Sequence, residues 1–189
     1  MFSIFLLIHK INLNHLETKS EKFYQKKENY KKVQDIIHDL LPHYVNLDYV
    51  PDILLSLIFA YLLLINYTLI YQLFGLGISL MIVREFIIQT TVLPKNNACD
   101  IKKHSSIYRG GCYDKIFSGH FGIGLIITLL LYDNGNINKL VAILINFFNA
   151  LFILLTRSHY TIDIIVSIFV VTIIYQNNLN ICDYFDKYI

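Results

Sequence analysis

From Ile53 onward the chain alternates long apolar runs with short polar breaks. Ile53 to Phe74 is apolar apart from neutral polar residues, long enough to cross the ~30 Å of hydrocarbon in a bilayer. Gly75 to Leu93 gives a second run, with Gly75 and Gly77 offering a tight turn or close packing at its start. Phe117 to Tyr132 is a third, closed by the turn signal Asp133-Asn134-Gly135-Asn136. Leu140 to Thr156 and Tyr160 to Tyr175 make a fourth and a fifth, both near the short limit for a crossing. The pattern predicts an all-α, polytopic membrane bundle of about five transmembrane helices.

The flanks are different. Met1 to Ile8 is apolar but breaks at His9-Lys10, too short to cross a bilayer and without the basic leader or cleavage site of a signal peptide. Asn12 to Lys32 is polar and rich in lysine, which predicts a solvated or surface-lying helix, or a plain charged tail. Pro42 and Pro51 predict a bent approach to the first run. Pro94 to Ile116 reads as a surface loop, of a length that often carries function. The organisation expected is a lysine-rich segment over 1–35, a membrane domain over 36–175 and a polar tail over 176–189.

Composition agrees with the pattern. Of 189 residues 55% are hydrophobic and none is Trp, too apolar for an ordinary soluble domain. A net charge of +2, with no basic run interleaved with aromatics, argues against nucleic acid as a partner. Cys99, Cys112 and Cys182 lack C-x-x-C spacing, so a zinc site or thioredoxin-like motif is not expected. Cys99 and Cys112 flank one loop and could pair in an oxidising compartment; two unpaired thiols fit the sequence equally well.

Threading the runs in order puts the lysine-rich segment, the loop from Pro94 and the turn at Arg157-Ser158-His159 on one side of the membrane, so His120 and His159 can meet. His159 and Asp163 are four apart, on one face of a helix. A carboxylate accepting one imidazole N–H fixes the tautomer and leaves the other nitrogen as a nucleophile. His120 follows Ser118-Gly119 at a helix start, where backbone N–H groups and the helix dipole favour a phosphate, and Arg157 adds a fork of donors for the same anion. Arg84, beside Glu85 within an apolar run, must pair, face water or face substrate, and helical neighbours cannot simply pair with each other. His38, His43 and His104 read as structural or interfacial histidines.

Ser118-Gly119-His120 and His159-Tyr160-Thr161-Ile162-Asp163 resemble the S-G-H and H-Y-T-[IV]-D signatures of the sphingomyelin synthase family, a branch of the type-2 phosphatidic acid phosphatase (PAP2) superfamily. Cys112-Tyr113-Asp114 ahead of S-G-H is similar to that family's C-G-D motif, and Arg84 with Thr90-Thr91-Val92-Leu93-Pro94 to its R…T-T-L-P segment. His38-Asp39 with Pro42 and Pro51-Asp52 is more loosely similar to its first extramembrane loop. The resemblance implies a PAP2-like core and a phosphotransferase in which His159 attacks the phosphorus of a phospholipid head group, Asp163 orients it, and His120 serves as acid and then base. Arg157, Ser118, Gly119 and Arg84 would hold the phosphate. The donor would be a phospholipid and the acceptor ceramide, with no cofactor and no metal, in a multi-pass protein of the Golgi, endoplasmic reticulum or plasma membrane.

Two features depart from that family. Its members have six spans and a lumenal or extracellular catalytic face, whereas five spans are expected here and Lys and Arg crowd the catalytic side, which the positive-inside rule would make cytoplasmic. The alternatives are a PAP2-type lipid phosphate phosphatase using water as acceptor, or a catalytically inactive membrane relative. Against the phosphatase, the K-x6-R-P motif usual in such enzymes has no counterpart, since no Lys-Pro or Arg-Pro pair occurs.

Overall fold

The computed structural model describes residues 2–25, 33–91, 93–94 and 112–186, with side chains for 9–24, 33–44, 46–91, 93–94 and 112–178. These residues form helices and no strand: α1 (Phe2–Gln25), α2 (Ile36–Leu40), a 3-10 turn (Val45–Leu47), α3 (Val50–Ile65), α4 (Leu69–Thr90), α5 (Gly119–Asp133), α6 (Lys139–Leu155) and α7 (Thr161–Asp186). Helix α5 is central, packed by α3, α4, α6 and α7.

The apolar chemistry faces outward as well as inward. Leu64, Tyr71, Phe86 and Phe169 are exposed on the outside of the bundle, while Leu62, Leu80, Ile127, Leu131 and Val171 fill its centre. A water-facing bundle would not present such a surface, whereas lipid tails welcome it. Helix α4 and the stretch Thr161–Asn178 of α7 are long and apolar enough to cross a membrane, and α3, α5 and α6 are shorter apolar helices. Close packing has to hold such helices together, because lipid is as apolar as leucine. Gly122 supplies it between α4 and α7: a Cβ there would lie 2.9 Å from Leu80 Cδ2 and 3.6 Å from Val171 Cγ2.

Several expectations need correcting. The break between the first two apolar runs falls at Asn66-Tyr67-Thr68, and Gly75 and Gly77 lie inside α4. The Thr68 hydroxyl donates to Asn66 Oδ1 at 2.6 Å, and Leu69 N–H donates to Asn66 O, so these polar residues close the turn. Gly77 instead gives Ile123 of α5 a close seat. The number of apolar helices is unchanged, so the two histidines stay on one side.

The N-terminal segment is not a plain tail. The apolar start and the polar residues after it join in one helix, α1, whose buried stripe His9, Leu13, Leu16, Glu17 and Ser20 follows helical spacing. Leu13 and Leu16 pack on Ile88 of α4, His9 pairs with Glu85, and Asn12 Nδ2 donates to Glu85 Oε2 at 3.1 Å. Residues 26–32 and 95–111, with Cys99 and His104, lie outside the described residues. What is described of the loop before α5 is buried: Cys112, Tyr113, Asp114, Lys115 and Phe117 are each at most 6% exposed, so this part is a plug and not a surface loop.

Candidate active site

The C-terminal end of α4, the plug 112–118, the start of α5 and the turn between α6 and α7 converge at one end of the bundle. Ser118 N–H points to Asp163 O at 3.5 Å, and the Ser167 hydroxyl lies within hydrogen-bond distance of both Ser118 O (3.1 Å) and Asp163 O (2.7 Å). These contacts bring the starts of α5 and α7, and with them His120 and His159, to the same end.

The α6–α7 turn begins with a Schellman closure: Arg157 N–H donates to Leu154 O (3.0 Å) and Ser158 N–H to Ile153 O (3.2 Å). That closure needs a left-handed residue, usually glycine, and Arg157 occupies it with φ 55°. A non-glycine residue there costs roughly 1 kcal/mol, so the side chain must repay it. Its Nη2 donates to His38 O at 2.8 Å. At the other end of the turn Asp163, fully buried, accepts Tyr160 N–H at 2.9 Å, the reciprocal half of a capping box.

The same carboxylate oxygen of Asp163 lies 3.2 Å from His159 Nδ1, and Lys115 O lies 3.0 Å from that nitrogen. A carbonyl can only accept, so Nδ1 carries a hydrogen, and the neutral ring has its lone pair on Nε2. The i,i+4 pairing anticipated for His159 and Asp163 is present; the second acceptor on Nδ1, from the plug, is new.

His120 sits in the first turn of α5. Ser118 is that helix's N-cap, its Oγ accepting Phe121 N–H at 3.3 Å, and it is fully buried, so its side chain serves the helix. His120 Nε2 lies 2.7 Å from Asp52 Oδ1 in the first turn of α3. Arg84 lies behind Gly119, whose added Cβ would be 3.4 Å from Arg84 Nε. It donates through Nε to Phe117 O at 3.2 Å and pairs through Nη2 with Asp114, buried with it. Glu85 pairs with α1, so the two adjacent charges turn to different sides. Among the donors anticipated for phosphate, Arg84 and Arg157 thus each commit at least one nitrogen to holding the backbone around the site.

Sequence reasoning gave no role to Lys115 or Asp35 and read His38 as a structural or interfacial histidine. Lys115 Nζ donates to Ser158 O at 2.6 Å; burial lowers its pKa, opposed by the nearby carboxylates of Asp114, Asp163, Glu17 and Asp48. Asp35 accepts Thr161 N–H (2.6 Å) and the Thr161 hydroxyl (2.8 Å), besides capping α2. Burial would raise its pKa, and the hydrogen bonds from Thr161 and His38 outweigh it, so the group is shifted down. His38 Nε2 lies 3.1 Å from His159 O. Its pKa is lowered, by burial first, with Asp35 opposing. The position of Lys115 within the S-G-H segment was the available signal; for Asp35 and His38 it was their place in a short polar stretch just ahead of the first span. No group of three or more His, Cys, Asp or Glu among the described residues is arranged to hold a metal ion.

No curated protein matches this chain. Residues 111–179, which hold His120, Arg157, His159 and Asp163, match the family described as PAP2 superfamily C-terminal.

Proposed function

We propose that this protein is a membrane-embedded phosphotransferase of the sphingomyelin synthase type, moving a phospholipid head group to ceramide. The observation that carries the reading is the seat of His159: two acceptors on Nδ1 leave Nε2 as the nucleophile. In the first step the Nε2 lone pair attacks phosphorus, the bond to the diacylglycerol oxygen breaks, and His120 gives that oxygen its proton. In the second, His120 takes the proton of ceramide's primary hydroxyl as that oxygen attacks the phosphohistidine, the N–P bond breaks, and His159 is restored. The phosphosphingolipid and diacylglycerol leave into the bilayer. Phosphate donors would come from the start of α5 and from the guanidinium groups of Arg157 and Arg84.

The catalytic end would face the lumen or the cell exterior. Cys112 in the plug is disulfide-bonded, and such bonds persist in oxidising compartments. That supports a protein of the Golgi, endoplasmic reticulum or plasma membrane despite the cations on the same side.

The test uses membranes bearing the protein, a fluorescent short-chain ceramide, and phosphatidylcholine, phosphatidylethanolamine or phosphatidylinositol as donor in turn. One donor should yield a phosphosphingolipid, and His159→Ala should yield none. Equal product from the wild type and that variant would overturn the assignment. Release of inorganic phosphate from phosphatidic acid, with no ceramide product, would replace it with a hydrolase using the same histidines.

A further inference from the structure

Helix α2 has too few residues for a stable helix by itself, yet its one buried face is spent on the catalytic turn. Asp35 and His38 between them reach Arg157, His159, Tyr160 and Thr161. Asp35 takes both donors of Thr161, His38 Nε2 addresses His159 O, Arg157 returns a bond to His38 O, and the His38 and Tyr160 rings lie 5.7 Å apart. Tyr44 N–H adds a backbone bond to Leu155 O at 3.0 Å, fastening the following segment to the end of α6. The geometry points to His38 as a positioning residue for His159: its Nε2–H grips the nucleophile's own carbonyl and so sets where the imidazole stands. The inference rests on the reading of His159 as nucleophile.

The grips on the turn are complementary. Each of two successive carbonyls in the turn is taken by a side chain from a different element, Ser158 O by Lys115 of the plug and His159 O by His38 of α2. Asp163 and Lys115 O hold the His159 ring by Nδ1. The His38 contact holds the backbone behind that ring, from a segment also bonded to the chain on either side of it, at Leu155 and Thr161. As a carbonyl accepts and never donates, His38 must carry its hydrogen on Nε2, and its buried side chain, 8% exposed, has no water-facing alternative. The left-handed Arg157 makes sense in the same frame, since its guanidinium closes the ring of contacts on the His38 carbonyl.

The experiment compares wild type, His38→Leu and His38→Gln in intact membranes. Glutamine keeps an N–H donor near the place of Nε2 and leucine keeps only the bulk. A displacement of about an ångström at a reacting centre can cost around 100-fold. His38→Leu should therefore lower kcat for ceramide transfer by about 10- to 100-fold with the donor's KM within about twofold, and His38→Gln should recover most of the loss. Amide hydrogen exchange over residues 158–161, which needs no turnover, should accelerate in His38→Leu and return towards wild type in His38→Gln. Wild-type kcat and exchange in His38→Leu, or a glutamine variant no better than leucine, would overturn the inference. If the wild type transfers nothing, the phosphotransferase reading fails and the exchange comparison alone decides whether His38 holds the turn.

Discussion

The two imidazoles at the mouth of the bundle are seated in opposite ways. His159 is paired through Nδ1 with a carboxylate that is 0% exposed, its own side chain 11% exposed. His120 is paired through Nε2 with Asp52, the two side chains 29% and 39% exposed. Around His159 the Ser158 and His159 carbonyls, the ring's Nδ1 and one oxygen of the Asp163 carboxylate are engaged by protein, whereas among the described residues His120 pairs with Asp52 of the neighbouring helix α3 alone. A nucleophile profits from the first kind of seat, which defines one tautomer and one direction of attack. A group that gives up a proton and then takes one back profits from the second, which leaves the ring in touch with its surroundings. The contrast between a clamped and a loosely held histidine supports the proposed roles alongside the motif.

The sharpest way to break the contrast is to remove each ring in turn. His159→Ala deletes the only proposed site of covalent attachment and should bring head-group transfer to background. His120→Ala should keep a residual activity, about 10²- to 10⁴-fold below wild type, because positioned proton transfer contributes on that order. Single-turnover measurement of diacylglycerol release separates the two; identical loss would mean the rings act as one unit and the assignment of roles has no support. Next in size comes Lys115→Met. It removes a cation from the buried group that includes Asp114, Asp163, Glu17 and Arg84, and leaves Ser158 O without this donor. Losing a buried hydrogen bond from a charged donor costs about 1–3 kcal/mol. Thermal unfolding in detergent should show the loss, and a variant as stable as wild type would mean that Lys115 is not holding the clamped side.

These seats were legible in the sequence to different depths. The spacing of His159 and Asp163 and the apolar runs are local signals, readable from helical periodicity, and the pairing and the starts of α5, α6 and α7 are where that reading puts them. What could not be read depends on chain segments distant in sequence. Asp114 meets Arg84 across 30 residues, Lys115 meets Ser158 across 43, and His38 meets His159 across 121. No periodicity encodes such contacts. The break at Asn66 was misplaced because Gly75 and Gly77 carry a stronger turn signal in isolation, yet in a membrane bundle glycine also marks close helix packing. The N-terminal segment is helical, as one of the two expectations had it, but its docking was missed because its lysines dominate composition, while the stripe that docks on α4 consists of a few residues four and three apart.

On the loosely held side, Asp52→Asn should do little. An ion pair this exposed contributes about 0–1 kcal/mol, so transfer should fall less than about tenfold, and by less still in high salt, which already screens the pair. A loss as large as that of His120→Ala would move Asp52 from neighbour to participant in proton transfer and erase the contrast in seating.

The smallest effect expected belongs to Glu17, which reaches the clamped side from α1. Its Oε1 accepts Tyr113 N–H at 3.4 Å, its Oε2 is buried, and Tyr24 of the same helix stacks on Tyr113. Burial is the largest influence on Glu17 and raises its pKa above the ordinary 4.5; backbone hydrogen bonds from Tyr113 and Cys112 oppose it, Asp114 adds to it, and Lys115 opposes it. A carboxyl raised on folding favours the folded state most below its unfolded value, and that advantage drains away as pH climbs through the folded value. Glu17→Gln keeps an acceptor for Tyr113 and does not ionise. Wild type and variant should therefore unfold alike at and below pH 4.5, and the variant should become slightly the more stable as pH rises above that value, a difference that melting curves across pH would register. The opposite sign, a variant less stable at high pH, would mean that the ionised carboxylate is needed as counter-charge to Lys115, and that the wall behind His159 is held by charge and not by the neutral contacts of α1.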